Sequence, residues 1–151
     1  MKVMKGIQED RMELEKITEK IIGYAYDVSN TLGSGFVEKV YENTLYHRSS
    51  KEGMRVVQQY QMKVTYDGVI VGEFFADLLF EELVLVELKA VRELEDIHVA
   101  QAMNYLKASG LPVCLLINFG RPKIEIRHLV PYDVWKSQSR PQAKYFHPRP
   151  K

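Results

Sequence analysis

Phe75-Ala76-Asp77-Leu78-Leu79-Phe80-Glu81-Glu82-Leu83-Val84-Leu85-Val86-Glu87-Leu88-Lys89 is the stretch that decides how this chain folds. Three charged residues stand inside two apolar runs, and a buried carboxylate without a partner is costly enough that it neutralises or finds one. Strand alternation groups Asp77 with Phe75 and Leu79, and Glu87 with Leu85 and Lys89, so Glu87 and Lys89 share a face. If Glu81-Glu82-Leu83 is a three-residue loop, Phe80 opposes Val84, and counting back sets Asp77 opposite Glu87 with Cβ atoms about 5 Å apart. A two-residue loop would send the acids to opposite faces, because a one-residue shift inverts a strand.

Upstream, Val56 to Tyr66 and Val69 to Phe80 are rich in valine, tyrosine and phenylalanine, and Asp67-Gly68 between them is a hairpin turn. Leu83 to Ala90 is almost continuously apolar, as expected of a strand covered on both faces. Glu95 to Ser109 follows as a helix with Val99, Ala102, Met103 and Leu106 on one stripe, ended by Gly110 and Pro112. Val113 to Phe119 is then a strand reached through a helix, which makes a βαβ unit with parallel strands and a right-handed crossover. In Lys123 to Leu129, Ile124 and Ile126 alternate with Lys123, Glu125 and Arg127, the pattern of a half-exposed outer strand.

Before the sheet, Ile17, Ile21, Tyr24, Ala25, Val28 and Leu32 recur at helical spacing over Glu13 to Leu32, and Gly33-Ser34-Gly35 breaks the pattern. A second helix is predicted from Phe36 to Lys51, with Phe36, Val40, Thr44 and Leu45 on its packed face and Gly53 closing it. The expected fold class is α/β (α+β): a mixed sheet of about five strands flanked by helices, with an N-terminal helical hairpin. A single domain over residues 13–137 is expected, between a flexible segment 1–12 and a basic, flexible tail 138–151 carrying Arg140, Lys144, Arg149 and Lys151.

With 151 residues, 46% hydrophobic and 27% charged, the chain can fill one core. A net charge of +1 supplies no strong attractive field, so a nucleic-acid function must rest on local geometry. The single cysteine, Cys114, lies in the Val113 to Phe119 run and reads as a buried small hydrophobe. That run is too short to span a bilayer, and Met1-Lys2-Val3-Met4-Lys5 lacks a signal-peptide core, so a cytoplasmic protein with no membrane partner is expected. The small size and sparse basic surface leave room for a homo-oligomer.

Two carboxylates opposed across a hairpin repel unless a cation sits between them, and oxygen donors with no cysteine or histidine pair nearby favour Mg²⁺ or Mn²⁺ over Zn²⁺. Lys89 beside them would orient or deprotonate an attacking water and offset charge on a phosphate. Its alternative role is a partly buried salt bridge with Glu87 or Asp77.

Asp77, nine intervening residues and then Glu87-Leu88-Lys89 resembles the PD-(D/E)xK nuclease motif on its hairpin, with Ala76 where the naming proline would stand. Gly35-Phe36-Val37-Glu38-Lys39-Val40-Tyr41 resembles the signature of the small GxxExxY family, a branch assigned to that superfamily, and the likeness runs roughly from Glu13 to Val130. The resemblance implies a restriction-endonuclease-like core and a Mg²⁺- or Mn²⁺-dependent nuclease acting on DNA or RNA. Asp77, Glu87 and Glu38 would be its metal ligands, Glu38 directly or through water, with Lys89 on the water.

Glu38 is equally read as a first-turn glutamate favoured by the helix dipole, and Tyr41 is read as a core residue. Gln101-Ala102-Met103-Asn104-Tyr105 resembles the QxxxY element of RecB-like nucleases, which implies that Gln101 and Tyr105 support the site and the nucleic-acid strand. His98 lies on the same stripe and would add a phosphate contact, against a purely structural alternative. The competing functional reading is a catalytically silent nuclease-fold module that binds nucleic acid or a partner protein. An enzyme of small phosphorylated metabolites ranks last, because Gly33-Ser34-Gly35 is too short for a P-loop and follows a helix.

Overall fold

The computed structural model describes the backbone of residues 2–131 and the side chains of residues 9–131. The expected tail 138–151 lies outside the described residues. Among the described residues eight elements follow in chain order: α1 Lys2–Leu32, α2 Glu38–Lys51, β1 Val56–Tyr66, β2 Val69–Phe80, β3 Val84–Lys89, α3 Asp96–Ser109, β4 Val113–Asn118 and β5 Glu125–Leu129. The strands form one five-stranded sheet in the order β1-β2-β3-β4-β5. Only β3 and β4, joined through α3, run parallel; the other neighbours are antiparallel. This is the mixed α+β architecture expected, with α1 and α2 as the N-terminal hairpin.

Helix α1 begins eleven residues before the Glu13 start predicted from apolar periodicity. Glu9 to Lys16 is dense in Glu, Arg, Met, Leu and Lys, strong helix formers that carry a helix onward without the amphipathic pattern that marks a packed one. On one face of the sheet, Ile17, Ile21, Ala25 and Val28 of α1 and Tyr41 and Leu45 of α2 join the core with Leu78, Phe80, Val84, Val86, Leu88, Leu115 and Ile117. On the other, Val99, Ala102, Met103 and Leu106 of α3 cover Ala76, Leu79, Leu85, Cys114 and Leu116. Phe36 is not on the packed face: α2 starts at Glu38, so Phe36 stays in the preceding loop, 49% exposed. The buried apolar stripe of α2 runs through Leu45, as predicted, and Tyr41.

The loop between β2 and β3 has the three residues its site reading requires, with Phe80 opposite Val84, Leu79 opposite Leu85 and Leu78 opposite Val86. Glu81 and Glu82 take φ of 52° and 59°, and the Leu83 N–H donates to the Phe80 carbonyl at 2.9 Å, which closes the turn.

Strand β2 is bonded to β3 only over Leu78–Phe80, whereas its pairing with β1 continues to Val69. The β1–β2 hairpin therefore parts from the sheet at Asp77. Alternation slips there: Leu78 and Phe80 join the core beneath α1 and α2, while Ala76 and Leu79, three positions apart, both pack under α3. Strict alternation had grouped Leu79 with Phe75 and Asp77 on one face, and the slip breaks that grouping. Across the strand, pairing passes from Gln58–Leu78 to Tyr60–Ala76, and Gln59 sits in the left-handed region at φ 53°. For a residue with a Cβ that conformation costs about 1 kcal/mol.

At the far end of β3, Lys89 is in register with Asn118, and its carbonyl accepts the Phe119 N–H at 2.8 Å. Fully buried Asn118 accepts from the N–H groups of Val91 and Gly120 and donates to the Val91 carbonyl and Glu125 Oε1, each at 2.9 Å. A side chain at Gly120 would collide with the Val91 carbonyl, so glycine is required for this close approach. The segment leaving the lysine is thereby pinned to β4.

Candidate functional site

Where the β2–β3 ladder stops, two carboxylates take over its hydrogen bonding. The Asp77 N–H donates to Glu87 Oε1 at 2.8 Å, and the Leu88 N–H donates to Asp77 Oδ2 at 2.8 Å. Each acid thus holds the backbone of the other strand, and neither is left as a free side chain. Gln59 Nε2 reaches the remaining Asp77 oxygen, Oδ1, at 3.3 Å.

Glu87 is 5% exposed. Burial first, and the neighbouring Asp77 charge second, push its carboxyl up to about 8, against the opposing effects of the Asp77 N–H and the Lys89 charge. Asp77 is also raised, chiefly by burial, with Glu42 and Glu38 adding repulsion. Among the described residues Lys89 forms no ion pair within 4.0 Å of either acid, so it does not make the salt bridge that its alternative role requires.

Lys89 Nζ instead donates to Gln101 Oε1 at 3.1 Å, and Gln101 Nε2 donates to the Tyr105 hydroxyl at 3.2 Å. Gln101 and Tyr105, one turn apart on α3, thus form a chain with the lysine along the sheet. Burial, then the Glu87 and Asp77 charges, push the Tyr105 phenol up to about 12. That keeps it a neutral hydroxyl, which accepts from Gln101.

Glu38 opens α2 and is exposed, and its charge acts on both Asp77 and Glu87. Tyr41 is a core residue, as predicted: its ring stacks on Phe119 at 4.6 Å between centroids, and its hydroxyl donates to the Gly33 carbonyl at 2.6 Å and accepts from the Phe36 N–H at 3.2 Å. His98 Nδ1 accepts the Glu95 N–H at 2.9 Å, so its ring closes the start of α3. Cys114 is fully buried, and burial raises its thiol well above the usual range.

The sequence reading passed over Glu42, Gln58 and Gln59. Glu42 is 3% exposed and accepts from Lys39 Nζ at 3.0 and 3.1 Å, from Gln58 Nε2 at 2.8 Å and from Gln59 Nε2 at 2.9 Å. One signal existed: Val56-Val57-Gln58-Gln59-Tyr60 places two adjacent glutamines where a regular strand would alternate.

Among the described residues no three His, Cys, Asp or Glu side chains form a group able to hold a metal, so Glu38 is not gathered with Asp77 and Glu87 into a three-carboxylate ligand set. The adjoining pair does fit a hard divalent ion. Its donors are all oxygen, Asp77 disfavours the charge of Glu87 beside it, and Mg²⁺ commonly takes only one or two protein carboxylates and fills its other positions with water and phosphate.

A mixed α+β sheet that carries two acids and a lysine on adjoining strands defines a protein with a nuclease-type core. The family model of the PD-(D/E)XK nuclease superfamily matches residues 15–129, and the chain belongs to that superfamily. No curated protein and no solved structure matches it. No described helix is long and apolar enough to cross a membrane.

Proposed function

We propose that the protein is a Mg²⁺- or Mn²⁺-dependent nuclease of the GxxExxY branch that hydrolyses phosphodiester bonds in DNA or RNA. One observation carries this reading: Asp77 and Glu87 are interlocked across the parting strands, with Lys89 two residues on and held away from both by Gln101. A site that served only stability would be expected to close Lys89 onto the acids, since an unpaired buried charge is costly.

Asp77 and Glu87 would hold the ion, with Glu38 bearing on it through water. When bound, the metal supplies Lewis-acid polarisation of a phosphoryl oxygen and lowers the pKa of a water. The Lys89 ammonium, oriented by Gln101, offsets charge that develops on the phosphate and steers the attacking water. Tyr105, neutral and bonded to Gln101, fixes the glutamine so that its carbonyl oxygen faces the lysine. His98 is assigned no part beyond its helix cap.

Calorimetric titration of Mn²⁺ and Mg²⁺ into the wild type and into Asp77→Ala and Glu87→Ala, followed by cleavage assays on single-stranded and duplex DNA and RNA, tests the proposal. Binding and cleavage lost in both variants uphold it. A wild type that binds neither ion yet binds nucleic acid or a protein would make it the silent module instead.

A further inference from the structure

We propose that Gln59 is the positioning residue for the Asp77 carboxylate, turned toward it by a left-handed kink in β1 and held from behind by buried Glu42. The inference rests on the nuclease reading and extends it to a residue outside the acid–lysine motif. A single nitrogen, Gln59 Nε2, lies 2.9 Å from Glu42 Oε1 and 3.3 Å from Asp77 Oδ1. A side-chain amide has two N–H bonds, so both carboxylates can be served at once, and flipping the amide would turn its carbonyl oxygen on two acids. The orientation is therefore dictated chemically.

The backbone supplies the aim. At φ 53° Gln59 interrupts the ladder between the Gln58–Leu78 and Tyr60–Ala76 pairs, and both Gln58 and Gln59 turn their amides to Glu42. Two adjacent residues of a regular strand would point to opposite faces. Glu42 is in turn fixed by Lys39 and Gln58, which makes α2 the anchor. The other Asp77 oxygen is already taken by the Leu88 N–H, so Gln59 governs the oxygen that remains.

A purely structural Gln59 would tie β1 to α2 through Glu42 and matter only to stability. Titration of Mn²⁺ into the full chain, beside thermal unfolding of the metal-free protein, separates the two roles. Gln59→Asn tolerates a positive φ but is one methylene short of bridging both acids, and Gln59→Gly is relaxed in that backbone region. Both are expected to bind Mn²⁺ about tenfold more weakly, the scale of losing a group that orients a ligand, with metal-free melting temperatures close to wild type. Gln58→Ala, which loses a bond to Glu42 but none to Asp77, should weaken Mn²⁺ binding less than either Gln59 variant.

Wild-type affinity in the Gln59 variants, weakening that merely tracks lost stability, or equal weakening in Gln58→Ala would each overturn the inference while leaving the nuclease reading intact. A wild type that takes up no Mn²⁺ would overturn both.

Discussion

At the scale of the residue, Glu87 carries the most unusual property of the molecule. Its carboxyl titrates at about 8 in the fold against 4.5 for the free side chain, because burial and Asp77 disfavour its charge. Between those values the folded state keeps a proton that the unfolded chain has released, so the folded state binds more protons and stability falls as pH rises through the window. The slope from this one group is at most about 1.4 kcal/mol per pH unit and vanishes above pH 8. Urea unfolding of the metal-free protein at pH 5 and pH 8 should show the decline, and Glu87→Gln should flatten it and be the more stable protein at the higher pH. An equal pH dependence in the variant would place the proton elsewhere.

Gln101→Leu belongs to the same scale. Removing the oxygen that holds Lys89 Nζ should lower kcat by about 10²-fold while leaving Mn²⁺ affinity near wild type, since neither acid bonds to Gln101. Loss of metal binding in that variant would show that the lysine chain supports the acids instead. The motif residues were legible because charges within apolar strands stand out in any sequence. Gln59 was not, because its contribution depends on a left-handed backbone that ordinary propensity gives no reason to expect of glutamine, and Glu42 was hidden because the packed face of α2 was predicted on Phe36, Val40, Thr44 and Leu45, of which only Leu45 is buried.

At the scale of the element, the register of one hairpin decides the site. The three-residue loop sets Phe80 opposite Val84, which is one of the two registers that the sequence left open. The slip of alternation at Asp77 could not be read from sequence, since it arises from the β1 kink and the end of the β2–β3 ladder, a tertiary event. The crossover βαβ unit has its own lock in Asn118, whose amide meets four partners. Asn118→Leu keeps the branched shape but orphans the part-buried Val91 and Gly120 N–H groups, and should cost about 3 kcal/mol. Chemical denaturation measures this directly; a loss within experimental error would mean that water replaces the amide without penalty.

At the scale of the whole molecule, a chain with a net charge of +1 lacks the field that draws many nucleases to their substrate, so the bound ion would have to supply much of the local positive charge. Binding must also contend with the proton on Glu87. At pH 7 a group titrating at about 8 is mostly protonated, and an ion held by both acids must displace that proton. Mn²⁺ titrations at pH 7 in buffers of different ionisation enthalpy should therefore reveal release of close to one proton per ion, and affinity should rise with pH up to about 8 before levelling. At an ion concentration of 100 times Kd the folded state gains about 2.7 kcal/mol, visible as a rise in melting temperature that Asp77→Ala and Glu87→Ala abolish. Binding without proton release would mean that Glu87 is already ionised in the free protein.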